Sequence, residues 1–213
     1  MTLAVDRYVL GAAQENCYVV RAERGSAEAV VVDPGDDAVQ LRLELARLGT
    51  RCSAILITHT HPDHIGAVAD LADGTEAPVY APEQERAVLE RPDDVYASQG
   101  FHIRGCEPDV GLTGGETVEA AGLSFEVLHL PGHSPGHLGF YADGCLFSGD
   151  VLFAGSVGRT DLPGTSWEDL VESIRAVADR FPPETIVYPG HGPETVLGAE
   201  LAHNPFLMEL RAS

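Results

Sequence analysis

The chain has 213 residues, 44% of them hydrophobic, which is enough for a sizeable core in one α/β or sandwich domain spanning residues 1–213. Its formal charge is −20, and all 13 basic residues are arginine. So acidic a surface repels phosphate backbones and anionic lipid, which argues against nucleic acid or a membrane as partner.

In chain order, residues 3–10 and 17–22 read as strands, and 29–32 as a third whose β-branched run stops at the turn Asp33-Pro34-Gly35. Asp36 or Asp37 can cap the next helix, in which Leu41, Leu45 and Leu48 recur at helical spacing until Gly49 ends it. With the strand 53–57 this makes a βαβ unit, and open α/β sheets place ligands at the carboxyl ends of such strands. That end is Thr58-His59-Thr60-His61-Pro62-Asp63-His64, with four metal-competent side chains within six residues. Residues two apart in an extended segment point the same way. His59 and His61 can therefore face one metal, while Asp63 and His64, beyond the bend at Pro62, face another.

A short helix after His64 runs through Val68 and Leu71, Pro78-Val79-Tyr80 is a strand, and Pro82 starts another helix. Residues 90–116 hold Pro92, Gly100, Gly105, Pro108 and Gly114-Gly115, and read as a loop-rich excursion. Strands 117–119 and 123–129 form a hairpin turned at Ala121-Gly122, followed by the rigid loop Pro131-Gly132-His133-Ser134-Pro135-Gly136-His137. A second hairpin, 138–141 with 145–147 about Asp143-Gly144, stops at Ser148-Gly149-Asp150. Ser166 and Asp169 form a capping box for a helix striped by Leu170, Ile174, Val177 and Phe181 and closed by Pro182-Pro183. The last strand, 185–188, delivers Pro189-Gly190-His191-Gly192-Pro193, and a final helix runs through Leu197 and Leu201.

Cys17, Cys52, Cys106 and Cys145 show no Cys-x-x-Cys spacing, which favours free thiols in a reducing compartment. The start Met-Thr-Leu-Ala-Val-Asp-Arg is no signal peptide, and no stretch approaches the roughly 20 apolar residues that span a bilayer, so the expected location is cytoplasmic.

His133, Asp150 and His191 each lie just past a strand, and the two histidines share a Pro-Gly-His triplet in which Gly permits positive φ and Pro stiffens the turn. With the first loop they make seven ligands, the number that two four-coordinate metals sharing one carboxylate require, whereas a mononuclear catalytic zinc takes three. His59, His61 and His133 are assigned to one metal, Asp63, His64 and His191 to the other, with Asp150 bridging. Zinc suits this donor set, and so do iron and manganese.

This motif set, with Asp33-Pro34-Gly35 ahead of it, resembles the metallo-β-lactamase superfamily over almost the whole chain. The resemblance implies a four-layer αββα sandwich with two divalent metal ions at one edge between two sheets. Lactamases of the commonest type resemble one another in a Cys at the Asp150 position. An Asp there is similar to glyoxalase II-like hydrolases, lactonases and RNA-processing nucleases, so antibiotic hydrolysis is not expected, and Cys145 reads as a core strand residue. Residues 148–153 and 158–164, the Pro-Gly-His-Gly-Pro run and Asn204-Pro205-Phe206 look like the glyoxalase II branch, whose members hydrolyse thioesters such as hydroxyacylglutathione. Without the added helical domain of the full-length form, the chain resembles a short, single-domain subtype.

The implied chemistry is attack on a small-molecule acyl thiol by a metal-bridging hydroxide, formed from water whose pKa is lowered toward ~7 and oriented by Asp63 or Asp150. Asp33 is read as orienting a histidine ligand from behind. His137 either lines the pocket or is packed, and Arg159 either meets a substrate carboxylate or pairs with Asp161. His102, His129 and His203 are read as structural, and Tyr141 and Phe153 as core. Two other activities resemble this branch: a persulfide dioxygenase, using one iron on His59, His133 and Asp150, and a lactonase.

Overall fold

Val30 and Val32 point to one side of their strand and Val31 to the other, yet all three are buried, because their sheet is covered on both faces. The computed structural model describes residues 3–211. One six-stranded sheet runs in the order β1 (Ala4–Leu10), β2 (Glu15–Arg21), β3 (Glu28–Val32), β4 (Arg51–Leu56), β5 (Val79–Pro82), β6 (Val110–Leu112). Its first three strands are antiparallel, and β3 to β6 are parallel. The second sheet takes β7 (Thr117–Ala120), β8 (Leu123–His129), β9 (Leu138–Ala142) and β10 (Cys145–Gly149) as antiparallel neighbours. A small hairpin, β11 (Leu152–Phe153) with β12 (Ser156–Val157), precedes β13 (Ile186–Pro189), which lies parallel to β10 and carries β14 (Thr195–Val196) at the edge.

Between the sheets, Tyr18, Val32 and Leu56 of the first meet Phe125, Phe140 and Phe147 of the second. The Tyr18 ring stands edge-on to Phe147 at 5.5 Å, and its hydroxyl donates to the Pro189 carbonyl at 2.6 Å. On the outer face of the first sheet, α1 (Ala38–Leu48) and α3 (Val68–Thr75) bury Leu41, Leu45 and Leu71 against Val31 and Ile55. Outside the second, α6 (Trp167–Arg180) and α7 (Leu197–His203) bury Leu170, Ile174, Val177 and Leu197 against Leu146 and Val187. The architecture is the expected αββα sandwich. Asp37, not Asp36, caps α1, accepting from the Gln40 N–H at 3.0 Å, and Ser166 caps α6 through the Asp169 N–H at 3.2 Å. Loss of either cap costs about 1 kcal/mol.

Several elements differ from the sequence reading. Pro62 opens the one-turn helix α2 (Pro62–Ile65), so Asp63 and His64 stand in a helical turn rather than an extended loop. The helix expected at Pro82 starts as a 3₁₀ turn, Glu83–Glu85, and becomes α4 (Arg86–Glu90) only afterwards. The 90–116 excursion contains the short helix α5 (Asp93–Tyr96) and the edge strand β6. β14 follows the strand expected to be last, and the final helix breaks at Asn204 into α7 and α8 (Pro205–Arg211). The residue before proline is driven to extended backbone, which accounts for that break. Strands of two or three residues carry too little alternation to show in a sequence.

The pairing brings the motif loops to one edge. Parallel β3 and β4 set Asp33 beside Thr58, with the Asp33 N–H donating to the Leu56 carbonyl at 3.0 Å. Parallel β10 and β13 set Asp150 beside His191, with Gly190 N–H on the Gly149 carbonyl at 2.8 Å. The Leu138 N–H donates across to the Thr58 carbonyl at 2.7 Å and joins the sheets at the site. All four cysteines are free. No helix among the described residues is long and apolar enough to cross a membrane.

Candidate metal centre

Hydrogen bonds behind the histidines fix which ring nitrogen is bare. The Thr58 hydroxyl donates to Asp33 Oδ2 at 2.6 Å, so at 3.0 Å it accepts from His59 Nδ1, leaving a lone pair on His59 Nε2. His133 Nδ1 donates to the Arg159 carbonyl at 3.0 Å, which bares His133 Nε2 in the same way. Both bare nitrogens face His61 Nδ1, at 3.0 and 2.8 Å. A proton on His61 Nδ1 could serve one of these contacts but not both, so at least two lone pairs converge and repel one another unless a cation lies between them.

The second group forms around Asp150. Its Oδ1 lies 3.5 Å from His64 Nε2, and both atoms are buried without a hydrogen bond. Its Oδ2 lies 3.4 Å from His133 Nε2 and 3.6 Å from His191 Nε2, which is itself 3.2 Å from Asp63 Oδ2. The ligand atoms of His59, His61 and His133 lie within 4.8 Å of one another, and so do those of Asp63, His64 and His191. The seven side chains grouped from sequence are thus together, with Asp150 between the two sets. Buried polar atoms without partners and converging imidazoles are what a pair of cations would satisfy.

The charges agree. Burial and the crowding of neighbouring imidazoles hold His59 well below the ordinary histidine range, and the same causes lower His61 to about 4, so both are neutral donors. Burial opposes the charge on Asp150, but His64, His133 and His191 outweigh it and keep the carboxyl below its ordinary range. For His64, burial also opposes charge, yet Asp150 on one nitrogen and Asp33 on the other lift it well above the ordinary value. In the metal-free protein a proton on His64 therefore stands where a cation would bind.

The two Pro-Gly-His triplets use glycine for overlapping reasons. Gly132 has φ 133°, as the turn argument requires, and a Cβ there would also fall 2.3 Å from the Leu170 nitrogen. Gly190 has no positive φ, and its role is close approach: a Cβ there would fall 2.2 Å from Asp150 Oδ1.

The sequence profile of the Metallo-beta-lactamase superfamily matches residues 10–191. The chain belongs to the metallo-β-lactamase superfamily. It is 35% identical to the hydroxyacylglutathione hydrolase GloC of Haemophilus influenzae over 91% of this chain and 93% of that protein. Among solved structures it is similar to BLEG-1, a B3 metallo-β-lactamase, at 42% identity, covering 96% of this chain and 99% of that one with a TM-score of 0.89. TTHA1623 in a di-iron-bound form is 43% identical, covering 95% of this chain and 100% of that one with a TM-score of 0.85.

In this superfamily member Asp33 is buried, accepts from His64 Nδ1 at 3.0 Å, and holds the Thr58 N–H at 2.7 Å, which is the position of a group that orients that imidazole from behind. His137 does not line the pocket. Fully buried, it stacks behind His59 at 4.8 Å, and its Nε2 accepts from the Asp150 N–H at 3.1 Å. Arg159 lines the cavity but is paired with Asp161 through two bonds of 2.7 and 2.9 Å. Phe153, read as core, is half-buried instead and stands on the cavity wall, edge-on to His191 at 6.1 Å. Tyr141 does pack, stacked on Phe181 at 4.1 Å.

The metal edge opens into a cavity of about 630 Å³, walled by Val95, Tyr96, Phe153, Val157 and Leu162. Sequence reasoning passed over Val95 and Tyr96 because they lie in the segment read as loop. It also passed over Glu15, 1% exposed beside His64, which burial pushes well above the ordinary glutamate range. Its only signal was an acid opening a strand that is buried throughout.

Proposed function

We propose that the protein is a two-metal hydrolase of acyl thioesters, with His59, His61 and His133 holding one cation, Asp63, His64 and His191 the other, and Asp150 bridging. The observation that carries hydrolysis is that both ligand sets reach the cavity wall, through His61, Asp63, His133, Asp150 and His191, where bound cations would hold a water beside a substrate carbonyl. Among the described residues of the wall there is no Ser, Cys, Thr or Lys, and its carboxylates and imidazoles are those assigned to the cations, which favours water as the nucleophile. Divalent cations bound there would polarise the carbonyl and lower the pKa of a water toward about 7.

The chain's own groups do the rest. Burial opposes charge on Asp63, but the bond from His191 and the field of His64 keep its carboxyl below the ordinary range. It is ionised and half-exposed at the cavity, able to accept a proton from the attacking water at Oδ2 and orient it. The apolar wall receives the acyl group. A leaving thiol with a pKa near 8.5 departs as thiolate, so the site requires no general acid. Among the described residues Arg159 is the one arginine lining the cavity, and Asp161 competes for it with any carboxylate of a glutathione tail, which argues for a weak grip on that tail. The similarity to GloC supports the thioester class, and the pocket supports weak selection of the carrier thiol.

The test is a series of acyl thiols sharing one acyl group, compared by kcat/KM for wild type and Arg159→Ala. Hydroxyacylglutathione should be cleaved with a high KM, and simpler acyl thiols should do comparably well. A glutathione preference above ~10²-fold, about 2.7 kcal/mol of discrimination, would refute the carrier argument. Oxygen uptake with glutathione persulfide and no thioester cleavage would refute the activity. The 42% identity to BLEG-1 favours lactam hydrolysis as a second reading, and a cephalosporin in the same series decides it.

A further inference from the structure

Glu85 ends the 3₁₀ turn after β5 and is 6% exposed. A buried carboxylate is costly unless its lone pairs are satisfied, and this one finds four donors, none of them a cation. Oε2 accepts from the Thr60 N–H and the Thr60 hydroxyl, both at 2.8 Å. Oε1 accepts from the Ser134 hydroxyl at 2.5 Å and the Gly136 N–H at 2.8 Å. Gly136 is what lets the acid approach, since a Cβ there would fall 2.9 Å from Glu85 Cγ.

The partners all lie on the loops that carry the histidines. Thr60 sits between His59 and His61, on the loop leaving the first sheet. Ser134 and Gly136 flank the turn between His133 and His137, on a loop of the second. One side chain thus spans the gap between the two loops that supply the three converging imidazoles, while the Tyr96 hydroxyl donates to the Thr60 carbonyl at 3.0 Å from the cavity wall. We infer that Glu85 is a positioning residue that sets the spacing of His59 and His61 against His133, and so tunes the affinity of the three-histidine site selectively. The inference rests on the two-metal reading above.

The variant Glu85→Gln keeps the shape but turns one acceptor into a donor facing a backbone N–H, Thr60 or Gly136, whichever way the amide lies. Zinc alone is titrated into metal-stripped protein against a competing chelator, giving two dissociation constants, which His133→Ala and His191→Ala assign to their sites. Loss of a partner bonded directly to a metal ligand typically costs 10–100-fold in affinity, and Glu85 acts one residue further back, on the neighbours of His59, His61 and His133. Glu85→Gln should therefore weaken the three-histidine constant by about tenfold, the low end of that range, and leave the other within about threefold. Thr60→Val and Ser134→Ala each remove one hydroxyl, keep the N–H bonds, and should weaken the same constant by a smaller factor, which serves if Glu85→Gln does not fold. Glu200 is the control, because it too is a buried carboxylate with bonds to Gly155 N, Thr195 Oγ1 and Asn204 Nδ2, none of which is next to a candidate ligand in the chain. Glu200→Gln should lower the melting temperature without moving either constant. Equal weakening of both constants by Glu85→Gln, or of neither, overturns the positioning role. A wild type with only one zinc constant overturns instead the two-metal reading.

Discussion

The Asp33→Asn substitution isolates the role of one buried oxygen. Asp33 has φ 48°, a left-handed conformation that Asn adopts as readily as Asp, so the backbone need not move. What changes is the donor count. If the new amide N–H₂ takes the Oδ1 position, it meets the Thr58 N–H, a donor facing a donor where a 2.7 Å bond stood. If it takes the Oδ2 position, it meets the Thr58 hydroxyl, whose proton must then turn away and toward His59 Nδ1, and it meets His64 Nδ1, which must then accept. Accepting at Nδ1 moves the His64 proton to Nε2 and blocks the atom that faces Asp150. Either outcome leaves a buried polar group unsatisfied, about 1–3 kcal/mol, or removes one ligand tautomer, about 10–100-fold in metal affinity. The second orientation, which spares the fixed Thr58 N–H, gives a drop of at least tenfold in the zinc affinity of the Asp63, His64, His191 site, with the circular dichroism of the fold retained; the first gives a lower melting temperature with the affinity kept. Chelator competition measures the affinity, and melting with and without zinc separates it from stability. An Asp33→Asn protein that keeps both affinities within about twofold and also melts as the wild type does would refute the argument.

Asp150→Ala should strip both positions, whereas His191→Ala should weaken mainly the second, read as metal content after dialysis against a weak chelator. Gly190→Ala should also lose metal, because its Cβ falls 2.2 Å from Asp150 Oδ1, and full metal content in that variant would show that the carboxylate can move aside. The raised His64 value predicts a pH dependence of definite sign. In the metal-free protein the protonated His64 contributes stability that is full below the ordinary value of 6.5 and is lost as pH rises through the raised one. A cation must displace that proton, so apparent zinc affinity should climb by about tenfold per pH unit across the same window, with proton release on binding, and a flat profile would contradict it.

The ligand loops were legible because each is written locally. A β-branched run, a turn residue and a His or Asp at the strand end lie within a few positions, and the spacing of His59, His61, Asp63 and His64 needs no knowledge of the rest of the chain. The helix cap at Ser166 and the apolar stripe of α6 follow from period and chemistry alone, whereas Asp36 and Asp37 read alike as caps of α1 and only the bond from the Gln40 N–H selects Asp37. Glu85 gave no such signal, since its partners lie 25, 49 and 51 residues away and a glutamate in a charged stretch reads as surface. Phe153 was misplaced because a half-buried aromatic on a two-residue strand has no alternation to show which way it faces. The two glycines before histidine look identical in the sequence, yet only Gly132 takes a positive φ, and the close approaches both make, to Leu170 and to Asp150, exist only in the folded chain. Local order along the chain determined which side chains could bind metal. The pairing of strands far apart in sequence decided which of them face one another, what backs each imidazole, and which carboxylates are buried deeply enough to act.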